Sequence, residues 1–102
     1  MPSSPAPSAE ERRRLFSLQD DVAARVVLED RFSEKVVAGV DQAFITGDGG
    51  EELVVSGAVA IGSSLQPPSR SWAVIETTFP YVPGLLFFRE GPAAVEAARR
   101  ID

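Results

Sequence analysis

Apolar residues at Leu15, Leu18, Val22 and Val26 recur at helical spacing. Ser8 precedes them and Glu11 follows it by three, the pattern of a capping box. Residues 9–30 are therefore predicted to form one amphipathic helix. The period then changes. Residues 36–44 are apolar and β-rich, interrupted only at Asp41-Gln42. Residues 45–52, Ile-Thr-Gly-Asp-Gly-Gly-Glu-Glu, hold the turn residues of a hairpin. Residues 53–61 form a second strand candidate. Residues 62–70, with Pro67-Pro68 and several serines, read as a loop, and residues 71–78 read as a third strand. Three strands with short connections predict an antiparallel meander. After Pro83-Gly84 a short helical piece is expected from Leu85 to Glu90. Gly91-Pro92 should interrupt it, and Pro92 should start a last helix running to Arg100.

A chain of 102 residues fits one small domain, and 44% hydrophobic content argues against disorder of the whole. Residues 1–8 are the exception. Their Pro/Ser-rich sequence reads as a disordered leader before a domain at 9–102, and they lack the basic head and apolar core of a signal peptide. No apolar run approaches the roughly 20 residues needed to span a bilayer, so no membrane partner is expected and a cytoplasmic protein is the default.

Charge and missing residue types narrow the chemistry. There is no cysteine and no histidine. Disulfides, thiolate metal sites and histidine-based acid–base catalysis cannot come from this chain. Any metal must be held by oxygen, which favours Mg²⁺ or Mn²⁺. The net charge of −5 does not describe a general nucleic-acid binder. The excess sits mainly in residues 36–69, which hold Asp41, Asp48, Glu51 and Glu52 and no basic residue. Arg12-Arg13-Arg14 can touch phosphate, or can simply solvate a helix face.

Three residues attract attention on chemical grounds. Asp41 interrupts an apolar strand, where a carboxylate is costly unless it reaches solvent, a partner or a metal. Glu90 lies before a Gly-Pro break, a position that also suits a solvated helix end. Tyr81 is held between Pro80 and Val82-Pro83, with Gly84 turning the chain behind it. Proline stiffens that segment, so Tyr81 sits on a rigid tip, either as a packed turn residue or as a projecting aromatic.

Three segments, in order, resemble the endonuclease V family of deoxyinosine-directed nucleases: Val-Ala-Gly-Val-Asp-Gln-Ala-Phe (37–44), Pro-Tyr-Val-Pro (80–83) and Phe-Arg-Glu-Gly-Pro (88–92). Val27-Leu28-Glu29-Asp30 is also family-like, and the likeness runs from about residue 18 to 101. The resemblance implies a ribonuclease-H-like α/β fold: a three-stranded antiparallel meander, an N-terminal helix, C-terminal helices and an incomplete sheet. It implies Mg²⁺-dependent hydrolysis of a phosphodiester near deoxyinosine in DNA, or near inosine in RNA, in DNA repair. Asp41 and Glu90 take the positions of two metal-binding, catalytic acids, brought together where the first strand meets the helix after the third. Pro80, Tyr81, Val82, Pro83 and Gly84 take the position of a strand-separating wedge. Family members continue into a strand bearing Asp-Gly-His-Gly, which has no counterpart here, so inactivity of the isolated chain or a split enzyme is expected. The competing reading is a non-catalytic nucleic-acid-binding or assembly module. In the ribonuclease-H-like order the first strand is central, so residues 36–44 should present an open edge. The expected outcome is a homo-oligomer, pairing with a complementing C-terminal half, or aggregation.

Overall fold

The computed structural model describes residues 5–31 and 35–101. Helix α1 (Ala9–Ala23) precedes three strands, β1 (Val36–Thr46), β2 (Glu52–Gly62) and β3 (Leu65–Glu76), and helix α2 (Leu86–Arg99) closes the order. The strands form one antiparallel sheet in the order β1-β2-β3, with β1 at one edge. This is the meander expected from sequence, flanked by an N-terminal and a C-terminal helix, and it is consistent with an incomplete ribonuclease-H-like sheet.

Alternation along β2 builds the core. Val54, Ser56, Ala58 and Ala60 are buried, while Gly57 and Val59 are exposed. The buried set faces α2, which packs against all three strands. Ala58 and Ala73 meet Ala97 of the helix, with Ile101 beside them. Small side chains let helix and sheet approach closely, and hydrogen bonds hold the contact. The Ser71 hydroxyl donates to Ala97 O, and Arg100 Nη1 donates to Trp72 O at 2.9 Å. Buried Ser56 is satisfied by Gln42 Nε2 at 3.1 Å.

A second cluster joins α1 to the segment between β3 and α2. Leu15 packs with Val82 and Leu85, and Phe79 and Phe88 close its sides. Gln19 Nε2 donates to Gly84 O at 2.8 Å. Ser8 caps α1 as expected, its hydroxyl accepting from Glu11 N at 3.1 Å.

Three boundaries differ from the sequence expectation. α1 ends at Ala23 and not near residue 30, because Val26 and Leu28 find nothing to pack on and stay exposed. Most helical stability in proteins comes from such packing. Residues 65–70, expected in a loop, begin β3. Pro67 and Pro68 fit there because β3 is the other edge strand, where a missing N–H need not break a ladder. Finally, Gly91-Pro92 does not split the C-terminal helix. α2 is continuous with Pro92 inside it. Proline disfavours helical backbone in the residue before it partly through that residue's Cβ, and Gly91 has none. The expected leader at 1–8 is described only from residue 5, and residues 1–4 lie outside the described residues.

One side chain ties the end of the sheet together. Arg89, its side chain 10% exposed, donates from Nη1 to Glu52 Oε2 at 3.1 Å and to Phe79 O at 2.6 Å. Its guanidinium carbon lies 4.6 Å from the centre of the Phe44 ring. α2, β2, β1 and the loop after β3 thus meet on one cation. Removing one partner of a fully buried pair costs about 3–5 kcal/mol; with Glu52 partly in solvent, Arg89→Met should cost about 2–3 kcal/mol. Urea unfolding measures it, and a cost within about 0.5 kcal/mol of zero contradicts the clamp. Gly84→Ala should cost about 1–2 kcal/mol in the same assay, because Gly84 has φ +87 and an added Cβ would lie 3.0 Å from the Phe16 ring.

Candidate nucleic-acid interface and acidic pair

The projecting loop is built from its anchors outward. Thr77 Oγ1 accepts from Phe79 N at 3.3 Å, bending the chain as it leaves β3. Leu85 N donates to Val82 O at 2.9 Å across Pro83-Gly84. Proline followed by a glycine of positive φ is the arrangement of a type II turn. Val82 and Leu85, on either side of the turn, are buried. Tyr81, between Pro80 and buried Val82, is 67% exposed. The turn is therefore fixed at its base and carries an aromatic ring into solvent. Pro83 and Gly84 are exposed beside it, and Pro80 is half-buried.

The two candidate acids lie on packed elements but on opposite faces of the sheet. The structure therefore does not bring them together as expected: Asp41 shares its face with Gly57 and Trp72, whereas α2 lies over Ser56, Ala58 and Ala73. Asp41 is in the middle of β1, exposed, and its Oδ1 accepts from Gln42 N at 2.9 Å. In register it pairs with Gly57, which pairs with Trp72. Glu90 is half-buried in the second turn of α2, which packs directly against β1. Among the described residues Glu90 joins no ion pair and accepts no hydrogen bond. Nor do three or more acids gather there into a group that could hold a metal ion. Each is a hard carboxylate that suits Mg²⁺ or Mn²⁺ in kind, and the two do not converge on one point in this arrangement.

Arg89 is the residue that sequence reasoning missed. It sits between a candidate acid and the run leading from the tyrosine loop, and it bonds to that loop at Phe79 O. The available signal was a lone cation in an apolar run, Leu85-Leu86-Phe87-Phe88-Arg89. A buried cation needs a partner, and in sequence Glu52 belongs to the hairpin turn segment, 37 positions away. Arg12, Arg13 and Arg14 are exposed on α1.

The sequence profile of the endonuclease V family matches residues 20–102. Among curated relatives, endonuclease V of Geotalea uraniireducens is 40% identical over 85 residues, covering 82% of this chain and 35% of the relative. That of Nostoc punctiforme is 42% identical over 89 residues, covering 83% of this chain and 38% of the relative. That of Dictyoglomus turgidum is 35% identical over 85 residues, covering 82% and 36%. The chain thus spans little more than a third of the length of these relatives. With most of its length matched, and with the acidic strand, the Pro-Tyr-Val-Pro turn and the Phe-Arg-Glu helix in order, the chain belongs to the endonuclease V family.

Proposed function

We propose that this chain supplies the N-terminal part of a metal-dependent endonuclease that cleaves nucleic acid near deoxyinosine or inosine, in DNA repair. The observation that carries the reading is the rigid turn with Tyr81 exposed on it, set beside a helix bearing an unpaired acid. Tyr81 stacks on a base at the lesion. Pro80, Val82, Pro83 and Gly84 hold its backbone, so little ordering entropy is lost on binding. Asp41 and Glu90 are the acids to hold Mg²⁺ or Mn²⁺, which requires the Asp41 side chain to turn from the face it occupies here toward α2. When bound, the metal activates water and stabilises charge on the phosphodiester being hydrolysed. The residues of this chain orient the strand and supply two of the carboxylates. Further ligands come from the part of the domain that relatives carry beyond the matched length. Among the described residues no helix is long and apolar enough to cross a membrane, and the reading places the protein in the cytoplasm with DNA or inosine-containing RNA.

One observation favours a second reading, a nucleic-acid-binding module without hydrolysis: among the described residues the two candidate acids lie on opposite faces of the sheet, while the tyrosine turn is complete. Stacking and phosphate contacts need no metal.

Three measurements separate these readings. Tyr81→Ala should weaken binding to a deoxyinosine duplex by about 1–3 kcal/mol with unchanged circular dichroism, and Tyr81→Phe should be mild. If Tyr81→Ala unfolds the protein while affinity per folded molecule is kept, the tyrosine is a packing residue. Mn²⁺ titration should detect weak binding lost in Asp41→Asn and in Glu90→Gln; equal binding by parent and Asp41→Asn removes Asp41 from the site. A site short of ligands loses orders of magnitude in rate, so the 102-residue chain alone should not nick a deoxyinosine duplex in a gel assay. Robust nicking would overturn this account of the site.

A further inference from the structure

The three arginines at the start of α1 are not equivalent. Along a helix, residues three and four apart are neighbours. Arg13 and Arg14 each have an acid at that spacing, since Glu10 precedes Arg13 by three and Glu11 precedes Arg14 by three. Arg12 has none. Its neighbours at that spacing are Ser8, Ala9, Leu15 and Phe16. The run is thus balanced on one side of the helix and unbalanced on the other. Among the described residues the Arg12 side chain joins no ion pair and no hydrogen bond, and it is exposed.

The unbalanced side is the one against which the tyrosine turn lies. Pro80 and Glu11 border one cleft. Val82 and Leu85 pack on Leu15. The Phe16 ring lies under Gly84, and Gln19 Nε2 donates to Gly84 O. Tyr81 is therefore bracketed by residues that touch α1 at positions 11 and 15, and Arg12 falls within that stretch. At 3.6 residues per turn, Arg12 lies about 60° around the helix from Leu15, on the side of Phe16 and Gln19. Glu11 lies about 40° from Leu15 on the other side. The turn separates an acidic edge of α1, beside Pro80, from a basic edge, beside Gly84.

Local sign, and not net charge, governs what approaches the turn. Screening limits interactions between exposed charges to about 8–10 Å at physiological salt, so the chain's charge of −5 is felt only through nearby groups. Arg31, Arg89 and Arg100 are already paired with Glu29, Glu52 and Glu96. Arg99 lies at the far end of α2, about 20 Å along the helix from Leu86. An anionic strand nearing Tyr81 therefore meets repulsion from Glu11 on one side and attraction from Arg12 on the other. The family profile begins its match at residue 20, so the family assignment gives Arg12 no role.

We propose that Arg12 is a phosphate-binding residue: its guanidinium holds the backbone of the nucleic-acid strand whose base stacks on Tyr81, and with Glu11 across the turn it sets the side on which that strand leaves. The planar fork of arginine matches a phosphate with two parallel hydrogen bonds. Such a contact carries no sequence information and serves to position the strand. Stacking alone leaves a base free to turn in its own plane, and a phosphate held to one side removes that freedom. This inference rests on the reading that Tyr81 stacks on a base, and its test separates the two.

The probe is a fluorescein-labelled duplex carrying one deoxyinosine, titrated with the 102-residue chain between about 50 and 200 mM salt. Arg12→Gln should weaken binding about five- to tenfold at the low-salt end. It should also flatten the plot of log affinity against log salt by about 0.9, the slope of one phosphate contact. Arg12→Lys should keep the slope and recover part of the affinity. Arg13→Gln and Arg14→Gln remove the same charge from the balanced side and should each cost less than about twofold. All four variants should keep the parent's circular dichroism, because the side chains are exposed and glutamine and lysine match arginine in helix propensity. Parent-like affinity and slope in Arg12→Gln overturns the proposal. So does an equal loss in all three glutamine variants, the mark of a diffuse field. If Tyr81→Ala weakens binding and Arg12→Gln does not, Arg12 falls and the stacking reading stands. Loss in Arg12→Gln with none in Tyr81→Ala sinks the stacking reading and, with it, the claim that the two residues hold one strand.

Discussion

The guanidinium of Arg89 is the interaction on which the rest of the arrangement depends. A nearly buried cation must be neutralised, and Glu52 at the start of β2 does so. Its second bond, to Phe79 O, fixes the chain just before the tyrosine turn. Its guanidinium carbon lies over the Phe44 ring at the far end of β1. Such a pair is weak evidence for net stability, because desolvation offsets most of the attraction. Its value is in geometry: planar, multiply bonded arginine holds one orientation where a point charge would not. Glu90 follows Arg89 directly on the same helix. One residue therefore ties the base of the aromatic tip to α2 and to the start of β2.

The two sides of the sheet obey the same packing rules with opposite outcomes. On the α2 side, alanines at 58, 73 and 97 bring helix and sheet close enough for the Ser71 hydroxyl to reach Ala97 O. On the other side, glycines replace bulky residues at the centre while valine, isoleucine and tryptophan stand around them. A surface meant for water would carry charge at these positions, since an antiparallel sheet with one wet face alternates apolar and polar. β2 carries no charged residue between Leu53 and Gly62. It has the near-continuous apolar sequence of a strand covered on both faces. The dimensions agree, with extents of 47 × 39 × 16 Å describing a slab of one sheet and one helix layer.

Much of this was legible in the sequence, and the failures share a cause. The hairpin was marked by Gly47-Asp48-Gly49-Gly50 and the tyrosine turn by Pro83-Gly84, because glycine and proline act locally. Gly50 and Gly84 both have positive φ. The misplaced boundaries depend on tertiary surroundings. α1 stops at Ala23 because nothing lies under Val26, and no local pattern reports an absent neighbour. Pro67-Pro68 reads as a breaker until β3 is known to be an edge. Gly91-Pro92 reads as a helix break until Gly91 is seen buried and in contact range of the Phe87 ring. Arg89 was hidden for the same reason, since its partners at 44, 52 and 79 are distant in sequence. Of the candidate site, Asp41, Glu90 and Tyr81 stand out from motifs, whereas the clamp at the base of the tyrosine turn, and the faces on which the two acids lie, depend on pairing between distant residues.

The contrast between Tyr81 and Asp41 shows how a part of a domain can be organised in one region and open in another. Tyr81 depends only on local and nearby contacts: a turn closed by one backbone bond, flanked by Val82 and Leu85 packed on Leu15. These are complete within the chain, so the tip is rigid without help. Asp41 sits instead on a strand paired along one side only. Its hydrogen bond is to the N–H of the next residue. A carboxylate held that way is positioned by a single strand in a sheet that another strand would stiffen. The acid most exposed to rearrangement is thus the one at the open edge, while the acid on α2 rides on a helix packed against all three strands. The tyrosine turn is therefore pre-organised in this chain, whereas the surroundings of Asp41 are set by β2 alone.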